Sequence, residues 1–256
     1  MAKTIKTAVL FLLAGSLIIL FIPTGVVCFV FSFLGLRKPM SFIIYKIAQG
    51  WARMLVKGTG CLLRVEGRGR IPKKGGVCIV SNHGSIFDIV LALAYVGRPF
   101  GFIAKKELLF IPFLNMWVYL LGGLFIDRRH PRKALATINR GIRRIRAGGG
   151  MLIFPEGHRS RGQGLLPFKS GSFRLATHSD APVVPVSIAG SYGVFEETGL
   201  VQAVPVSLIF GEPINPKDLP PEERKQVLAE KVRDIIAGNL GFKGDGPSGD
   251  KTTASA

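Results

Sequence analysis

The amino-acid sequence predicts an α/β fold: a mixed, mostly parallel sheet of about seven strands with flanking helices, preceded by an N-terminal membrane-associated helical arm. Two observations predict the sheet: short β-branched apolar runs recur along the chain, and segments of helical periodicity separate several of them. A third predicts the arm. The 256 residues carry a net charge of +18 and yet have a mean hydropathy of +0.35, so basic and apolar residues must lie in different segments.

The arm begins with a long uncharged run. Residues 8–36 contain no charged side chain, and about 20 apolar residues suffice to cross the hydrocarbon core of a bilayer. A break at Pro23–Gly25 leaves two alternatives, one kinked spanning helix or a helical hairpin that enters one leaflet. A signal peptide is a third, but no small-x-small cleavage site follows the run. We favour the hairpin because it places four basic residues on one side, as is typical of cytoplasmic segments: Lys3, Lys6, Arg37 and Lys38.

Charge in this part of the chain narrows the class of partner. Between Met1 and Val65 there are eight Lys or Arg residues and no Asp or Glu. An anionic membrane surface and a nucleic acid both attract such a segment. The basic residues flank apolar sequence, and no zinc-ligand array or aromatic RNA-binding pattern accompanies them. We therefore expect membrane lipids as partners and no nucleic acid. The three cysteines lack metal-ligand spacing and are interpreted as core residues of a protein in a reducing compartment: Cys28, Cys61 and Cys78.

The order of elements predicts two structured parts and a tail. Residues 1–57 form the membrane-associated helices, ending in an amphipathic helix over 41–57, and residues 58–240 form the α/β domain. Residues 241–256 are small and polar and are predicted to be disordered. The predicted strands are 61–66, 76–81, 99–104, 123–126, 150–154, 182–190 and 203–210. The predicted helices of the domain are 86–96, 107–121, 131–147, 171–179 and 220–237.

One segment carries a candidate base. In residues 76–93 a buried strand leads into Ser-Asn-His-Gly-Ser and then a helix, so His83 lies at the carboxyl end of a strand, where open α/β sheets place their ligand clefts. Asp88 follows in the first helical turn, and its carboxylate can orient the imidazole while the other ring nitrogen takes a proton. The alternative is that the polar residues of this loop only cap the helix and His83 lies on the surface.

Two further strand ends carry charged residues. Residues 149–162 run from a strand into a loop with Glu156, Gly157 and Arg159, which suits a phosphate held by arginine and glycine amides, with Glu156 accepting a hydrogen bond from a substrate hydroxyl. Arg128 ends another strand and could add a phosphate contact. Solvated charged turns are the alternative for both. No G-x-S-x-G elbow is present, so a covalent acyl-enzyme is not indicated.

Together these segments resemble the glycerolipid acyltransferase family typified by bacterial 1-acyl-sn-glycerol-3-phosphate acyltransferases. The N-H-x-x-x-x-D motif of that family matches Asn82 through Asp88, and its G-x-x-F-I-x-R block is similar to Gly122 through Arg128. The F-P-E-G-T-R-S block matches Phe154 through Ser160, and a V-P-V strand matches Val184 through Val186. Order and spacing agree over roughly residues 58–210. One departure is His158, which stands where the family has threonine.

The resemblance implies an enzyme of phospholipid biosynthesis on the cytoplasmic face of the inner (plasma) membrane. It implies transfer of a fatty acyl group from acyl-CoA or acyl-carrier protein to 1-acyl-sn-glycerol 3-phosphate (lysophosphatidic acid), giving phosphatidic acid, with no cofactor and no metal. His83 and Asp88 would be catalytic. The substrate-binding residues would be Lys105, Arg128, Glu156, Gly157 and Arg159.

Alternatives remain within and outside this class. Another lysophospholipid or glycerol 3-phosphate could be the acceptor, since the headgroup contacts are not placed by sequence. A non-catalytic, basic lipid-binding protein of the membrane surface would show no effect of replacing His83 beyond stability. A lipid hydrolase would need water in place of the alcohol, and the chain offers no nucleophile elbow to support it.

Overall fold

The computed structural model describes residues 2–111 and 113–242, and it contains one sheet of seven strands. The strands lie in the order β1-β7-β6-β2-β5-β3-β4. All neighbours are parallel except β6 and β7, which are antiparallel. The prediction of a mostly parallel seven-stranded sheet is confirmed. The strands are β1 Leu62–Glu66, β2 Val77–Ser81, β3 Phe100–Lys105, β4 Leu124–Ile126, β5 Gly150–Ile153, β6 Val183–Ala189 and β7 Pro205–Phe210.

Helices cover both faces of this sheet. Side chains alternate along each strand, so β2 sends Val77 and Ile79 to one apolar core and Cys78 and Val80 to the other. The first core is shared with α3, α4 and α5, and the second with α6, α7 and α8. The eight α-helices of the described residues are α1 Ala2–Leu20, α2 Ile22–Phe31, α3 Arg37–Thr59, α4 Phe87–Tyr95, α5 Leu114–Leu120, α6 Pro131–Arg146, α7 Arg174–Ser179 and α8 Arg224–Asn239.

The N-terminal arm reverses its direction at a different place from the one predicted. Helices α1 and α2 meet near the predicted break, but Pro23 lies in the first turn of α2, where a missing amide costs no helical hydrogen bond. The chain turns back at Leu34 and Gly35, both of which leave the helical conformation, with φ of 84° at Gly35. A hairpin closed at Pro23–Gly25 was therefore wrong: the two arms of the reversal are α1 with α2 on one side and α3 on the other.

Contacts along the arm establish this pairing. Near the start of α1, the Lys6 ammonium donates to the carbonyl of Thr59, at the end of α3. Near the end of α2, Cys28 packs with Ile44, near the start of α3. The order of contacts is therefore antiparallel. Among residues 2–111 and 113–242, no helix combines the length and the apolar character needed to cross a bilayer.

Two other predictions differ from the structure. The helix predicted over 107–121 is a 3-10 turn, Lys106–Phe110, followed by α5. The sequence has a proline at 112, which disfavours a helix interior, and Phe113 has a φ of 63°. The helix predicted over 171–179 likewise begins with a 3-10 turn before α7. Of the predicted disordered tail, residues 243–256 lie outside the described residues.

Candidate active site

Four neighbouring parallel strands bring the predicted site residues to one edge of the sheet. Strands β2, β5, β3 and β4 are adjacent in that order, so their carboxyl ends meet at the same edge. His83 follows β2, Glu156 follows β5, Lys105 ends β3 and Arg128 follows β4. The strand order thus places residues more than 70 positions apart in sequence at the same edge of the sheet.

The candidate base and its partner form a buried pair. Nδ1 of His83 lies 2.9 Å from Oδ2 of Asp88, and the Asp88 side chain is fully buried while that of His83 is 14% exposed. The same Oδ2 atom accepts a hydrogen bond of 2.9 Å from the amide of Ser85. The imidazole stacks on the ring of Phe154, with centroids 4.0 Å apart and planes inclined by 16°. Both the plane and the Nδ1 contact of the imidazole are fixed, which leaves Nε2 as the nitrogen that can accept a proton.

Asn82 anchors this loop to the neighbouring strand. Its side-chain amide donates to the carbonyl of Ile188 and its side-chain oxygen accepts from the amide of Ile188, each at 2.8 Å. The alternative interpretation of the sequence made Asn82 one of the residues that cap α4. In the structure its side chain instead forms two hydrogen bonds with the backbone of Ile188 in β6, 106 residues away. A buried amide whose donor and acceptor are both hydrogen-bonded fixes the position of Asn82, the residue before His83.

Glu156 does not have the position expected of a residue that contacts a substrate hydroxyl. Its side chain is buried. One carboxylate oxygen accepts a hydrogen bond of 2.6 Å from the amide of His83, and the other accepts one of 3.2 Å from the amide of Leu166. Burial raises the pKa of Glu156 to about 7, opposed by the two backbone hydrogen bonds. In this structure the carboxyl links the loop after β2 to the segment after β5.

Cationic side chains gather around Gly157. This residue has a φ of 79°, a conformation that glycine adopts without steric cost, and its carbonyl accepts a hydrogen bond from Nη1 of Arg128. A Cβ atom at this position would lie 3.0 Å from Nζ of Lys169, so the lysine lies across the glycine. Lys169 was not predicted from sequence. Lys105 is exposed and pairs in the sheet with Ile126, two residues before Arg128.

Arg159 is held by a residue that sequence analysis missed. Its Nη1 atom forms an ion pair with Oε1 of Glu196, in the loop after β6. The other oxygen of Glu196 accepts from the Ser85 hydroxyl at 2.5 Å and from the Ile86 amide at 2.7 Å. No motif marks Glu196 in the sequence. His158, the residue that departs from the family pattern, is exposed.

An apolar cavity opens beside the loop that carries His83. It has a volume of about 380 Å³ and lies between α3, α4, α5 and the junction of α1 with α2. Ile86 and Phe87, which flank the start of α4, line it next to Asp88. Its other walls include Phe21, Trp51, Phe102 and Trp117. The cavity therefore extends from the region between the helical arm and the sheet to Ile86, which precedes α4 and lies three residues after His83.

A family model described as Acyltransferase matches residues 62–189, which is half of the chain and includes every predicted site residue. The chain belongs to the acyltransferase family. A curated 1-acyl-sn-glycerol-3-phosphate acyltransferase of Borreliella burgdorferi is 32% identical over 181 residues, 71% of this chain and 72% of the relative. One of Escherichia coli is 33% identical over 168 residues, 64% of this chain and 63% of that protein.

A solved structure has the same architecture. The crystal structure of a 1-acyl-sn-glycerophosphate (LPA) acyltransferase from Thermotoga maritima aligns with a TM-score of 0.77 and 28% identity, covering 93% of this chain and 96% of that one. The family recognised from motifs is therefore confirmed, and this acyltransferase shares the fold of that structure. Within residues 2–111 and 113–242, no group of three or more His, Cys, Asp or Glu side chains could hold a metal ion.

Proposed function

We propose that the chain transfers a fatty acyl group to the free hydroxyl of 1-acyl-sn-glycerol 3-phosphate, giving phosphatidic acid. The observation that carries the proposal is the His83–Asp88 pair, placed between an apolar cavity and a group of basic side chains. A lysophosphatidic acid presents an alkyl chain, a hydroxyl and a phosphate in one molecule. The names of the relatives support the same acceptor.

In this mechanism His83 acts as a general base. Nε2 takes the proton of the acceptor hydroxyl as its oxygen attacks the thioester carbonyl of the donor. The carbon–sulfur bond then breaks, and the proton leaves with the thiol. Asp88 holds the tautomer that has its proton on Nδ1 and stabilises the imidazolium that forms. The donor is acyl-CoA or acyl-carrier protein, since both present the thioester that this chemistry needs.

The acceptor phosphate is bound by cations at the ends of β3, β4 and β5. Arg128 and Arg159 supply guanidinium groups, which match a phosphate in geometry and charge. Lys105 adds a point charge at the end of β3, and the carbonyl of Gly157 accepts a hydrogen bond from Arg128. Glu156 is assigned a positioning role, because its two oxygens are engaged by the amides of His83 and Leu166.

The apolar cavity receives an acyl chain. Its lining consists of hydrophobic and aromatic residues, and burying each methylene there contributes roughly 0.8 kcal/mol. Because Ile86 and Phe87 adjoin Asp88 at the cavity wall, a chain in the cavity has its carbonyl end near His83.

The enzyme is seated on the cytoplasmic face of the inner (plasma) membrane by the arm and by the loop before α5. Large apolar side chains are exposed on both. Clusters of exposed apolar side chains are typical of a membrane-interaction site. On the loop they are Leu109, Phe110, Ile111 and Phe113. On α1 and α2 they include Val9, Phe11, Leu12, Leu13, Ile19, Val26, Val27, Val30 and Phe31.

Vesicle flotation tests the membrane seat. With vesicles of phosphatidylglycerol and phosphatidylethanolamine, Phe110→Ser should weaken binding roughly tenfold, because the ring loses its apolar surroundings. Phe242→Ser is the matched control, since this ring is also exposed but lies beyond α8. Equal binding by all three proteins would remove the loop from the membrane seat. In sealed right-side-out vesicles, protection of tags at both chain ends from added protease would support the cytoplasmic face. Cleavage of one tag and protection of the other would refute it.

The reaction is tested by acyl transfer from labelled acyl-CoA to lysophosphatidic acid with purified, detergent-solubilised protein. Wild type should form phosphatidic acid, and His83→Ala should lose at least about a hundredfold in kcat, the scale of general-base catalysis. His178→Ala is the control, since α7 lies on the opposite face of the sheet. No product with acyl-CoA or acyl-carrier protein and any lysophospholipid would favour a non-catalytic lipid-binding protein.

A further inference from the structure

We propose that Glu196 is a positioning residue that fixes Arg159 and the start of α4 relative to each other, and so sets the distance between the bound phosphate and His83. The inference rests on the proposed function for its substrate. It concerns a residue outside the matched family segment, which ends at 189. Three polar groups converge on this one carboxylate, two from the base-bearing loop and one from the segment after β5.

The first arm of this arrangement holds the helix that carries Asp88. The amides that open a helix lack acceptors within it, and Ile86 has no side chain that could cap α4. Oε2 of Glu196 accepts from the Ile86 amide at 2.7 Å and from the Ser85 hydroxyl at 2.5 Å, and the oxygen of that hydroxyl accepts from the amide of Phe87, the first residue of α4. The amide of Ser85 meanwhile donates to Asp88. Ser85 is thus bound on one side to Glu196 and on the other to the partner of the base.

The second arm holds the candidate phosphate ligand. Oε1 of Glu196 binds Nη1 of Arg159 in an ion pair whose side chains are 17% and 33% exposed, respectively. A guanidinium has five N–H donors in a planar fork, so an ion pair through one nitrogen fixes the plane of the group without consuming its capacity to bind phosphate. Ordering an arginine before its ligand arrives also reduces the entropy lost on binding.

Joining the two arms matters because the acceptor spans them. Its hydroxyl must reach Nε2 of His83 while its phosphate reaches Arg159, and both groups belong to one small molecule. Holding reacting groups within a few tenths of an ångström of the attack geometry accounts for much of an enzyme's rate. Glu196 is the carboxylate that ties the loop carrying one contact to the side chain making the other.

Two substitutions separate the arms. In Glu196→Gln the amide oxygen can still accept from Ser85 and Ile86, but the ion pair with Arg159 is lost. We expect the KM for lysophosphatidic acid to rise about five- to tenfold, with kcat within about threefold and the KM for acyl-CoA unchanged. Glu196→Ala loses both arms, so kcat should fall by about tenfold or more in addition. Glu197→Gln, one residue along the same loop, is the control and should match wild type.

Three results would overturn the proposal. The first is a fall in Tm for both variants with no change in the acceptor KM relative to the donor KM, which is the signature of a purely structural residue. The second is a lower acceptor KM in Glu196→Gln, which would mean that the carboxylate competes with phosphate for Arg159. The third is equal kinetics in Glu196→Gln and Glu196→Ala, which would deny the two separate arms.

Failure of the proposed function would be recognised separately, as a wild type that acylates none of the phosphate-bearing acceptors. In that case calorimetric titration with sn-glycerol 3-phosphate takes the place of kinetics. Glu196→Gln should then weaken binding about fivefold relative to wild type and to Glu197→Gln. Unchanged affinity for this probe would reject the role of Glu196.

Discussion

Two loops at the same edge of the sheet are built in opposite ways. The loop after β2, which carries His83, is largely buried and is bound by the backbone of Ile188 and by the side chains of Glu156 and Glu196. The loop after β4, which carries Arg128, is largely exposed and is held by ion pairs within reach of solvent. The base proposed on the first loop must keep one orientation to act, whereas the phosphate ligand proposed on the second must be reachable and can adjust to its anion. Substitutions in the buried loop should therefore affect the rate, and substitutions in the exposed loop should affect binding.

The largest effect should come from the buried loop, with Asp88→Asn. An asparagine amide facing Nδ1 would donate to that atom, which moves the ring proton to Nε2 and leaves no lone pair there to accept the proton of the acceptor hydroxyl. We expect kcat to fall on the order of a thousandfold with little change in either KM, as measured by steady-state acyl transfer. A loss of less than about tenfold would show that the tautomer is not set by Asp88.

Glu156 should give the next largest effect, on the pH dependence of stability. Because burial raises its folded-state pKa from 4.5 to about 7, the folded chain keeps a proton that the unfolded chain releases. The resulting stability is fully present below about pH 4.5 and is lost as the pH rises through about 7, by about 3 kcal/mol.

Thermal unfolding in detergent between pH 4.5 and pH 7.5 measures this contribution. The Tm difference between wild type and Glu156→Gln should shrink or reverse in favour of the variant as the pH rises, because glutamine cannot ionise. Glu222 is an exposed residue just before α8, and the Tm of Glu222→Gln should change with pH as that of wild type does. A constant difference between wild type and Glu156→Gln across this range would contradict the raised pKa.

Arg128→Ala should have a smaller effect, and on binding rather than rate. We expect the KM for lysophosphatidic acid to rise about tenfold with the KM for the acyl donor unchanged, since one charge-assisted contact to phosphate is lost. Arg132→Ala, an exposed arginine in the first turn of α6, is the matched control. Equal changes in both Michaelis constants would take Arg128 out of the phosphate site.

The smallest effect should come from Asp127→Asn. Hydrogen bonds from Lys106, and then from His130, hold the pKa of Asp127 well below its usual range. Exposed ion pairs of this kind contribute little to stability. We expect kcat/KM to change by less than about twofold. A tenfold loss would mean that the exposed loop is as finely positioned as the buried one, and the contrast between the loops would fail.

The sequence predicted what depends on local pattern. All seven strands were placed within two residues, because buried β-branched runs bounded by turns have few other interpretations. His83 and Asp88 were predicted as a pair because they lie five positions apart at a strand–helix junction, and the structure places their side chains in contact. Short-range spacing of this kind is preserved in the folded chain.

Features that depend on distant segments could not be predicted. A glutamate at a strand end usually faces solvent, but Glu156 is buried, and its carboxylate accepts hydrogen bonds from the amides of His83, 73 residues away, and Leu166. Glu196 lies 110 residues from its partner Ile86 and no motif surrounds it. Pro23 suggested a turn, but a proline in the first turn of a helix is compatible with the helix continuing beyond it. A single glycine at position 35 is a weaker local signal for a turn than Pro23 with Gly25, so the sequence did not predict the reversal there.

The bond between Asn82 and Ile188 has a consequence for biosynthesis. A ribosome delivers residues at about 5–20 per second, so the two partners, 106 positions apart, leave it several seconds to some twenty seconds after one another. Until β6 is available, the histidine loop lacks its anchor, even though the histidine and its aspartate were made much earlier. A nascent chain therefore acquires an ordered histidine loop only after most of the domain has been synthesised, by which time the apolar arm has already been made.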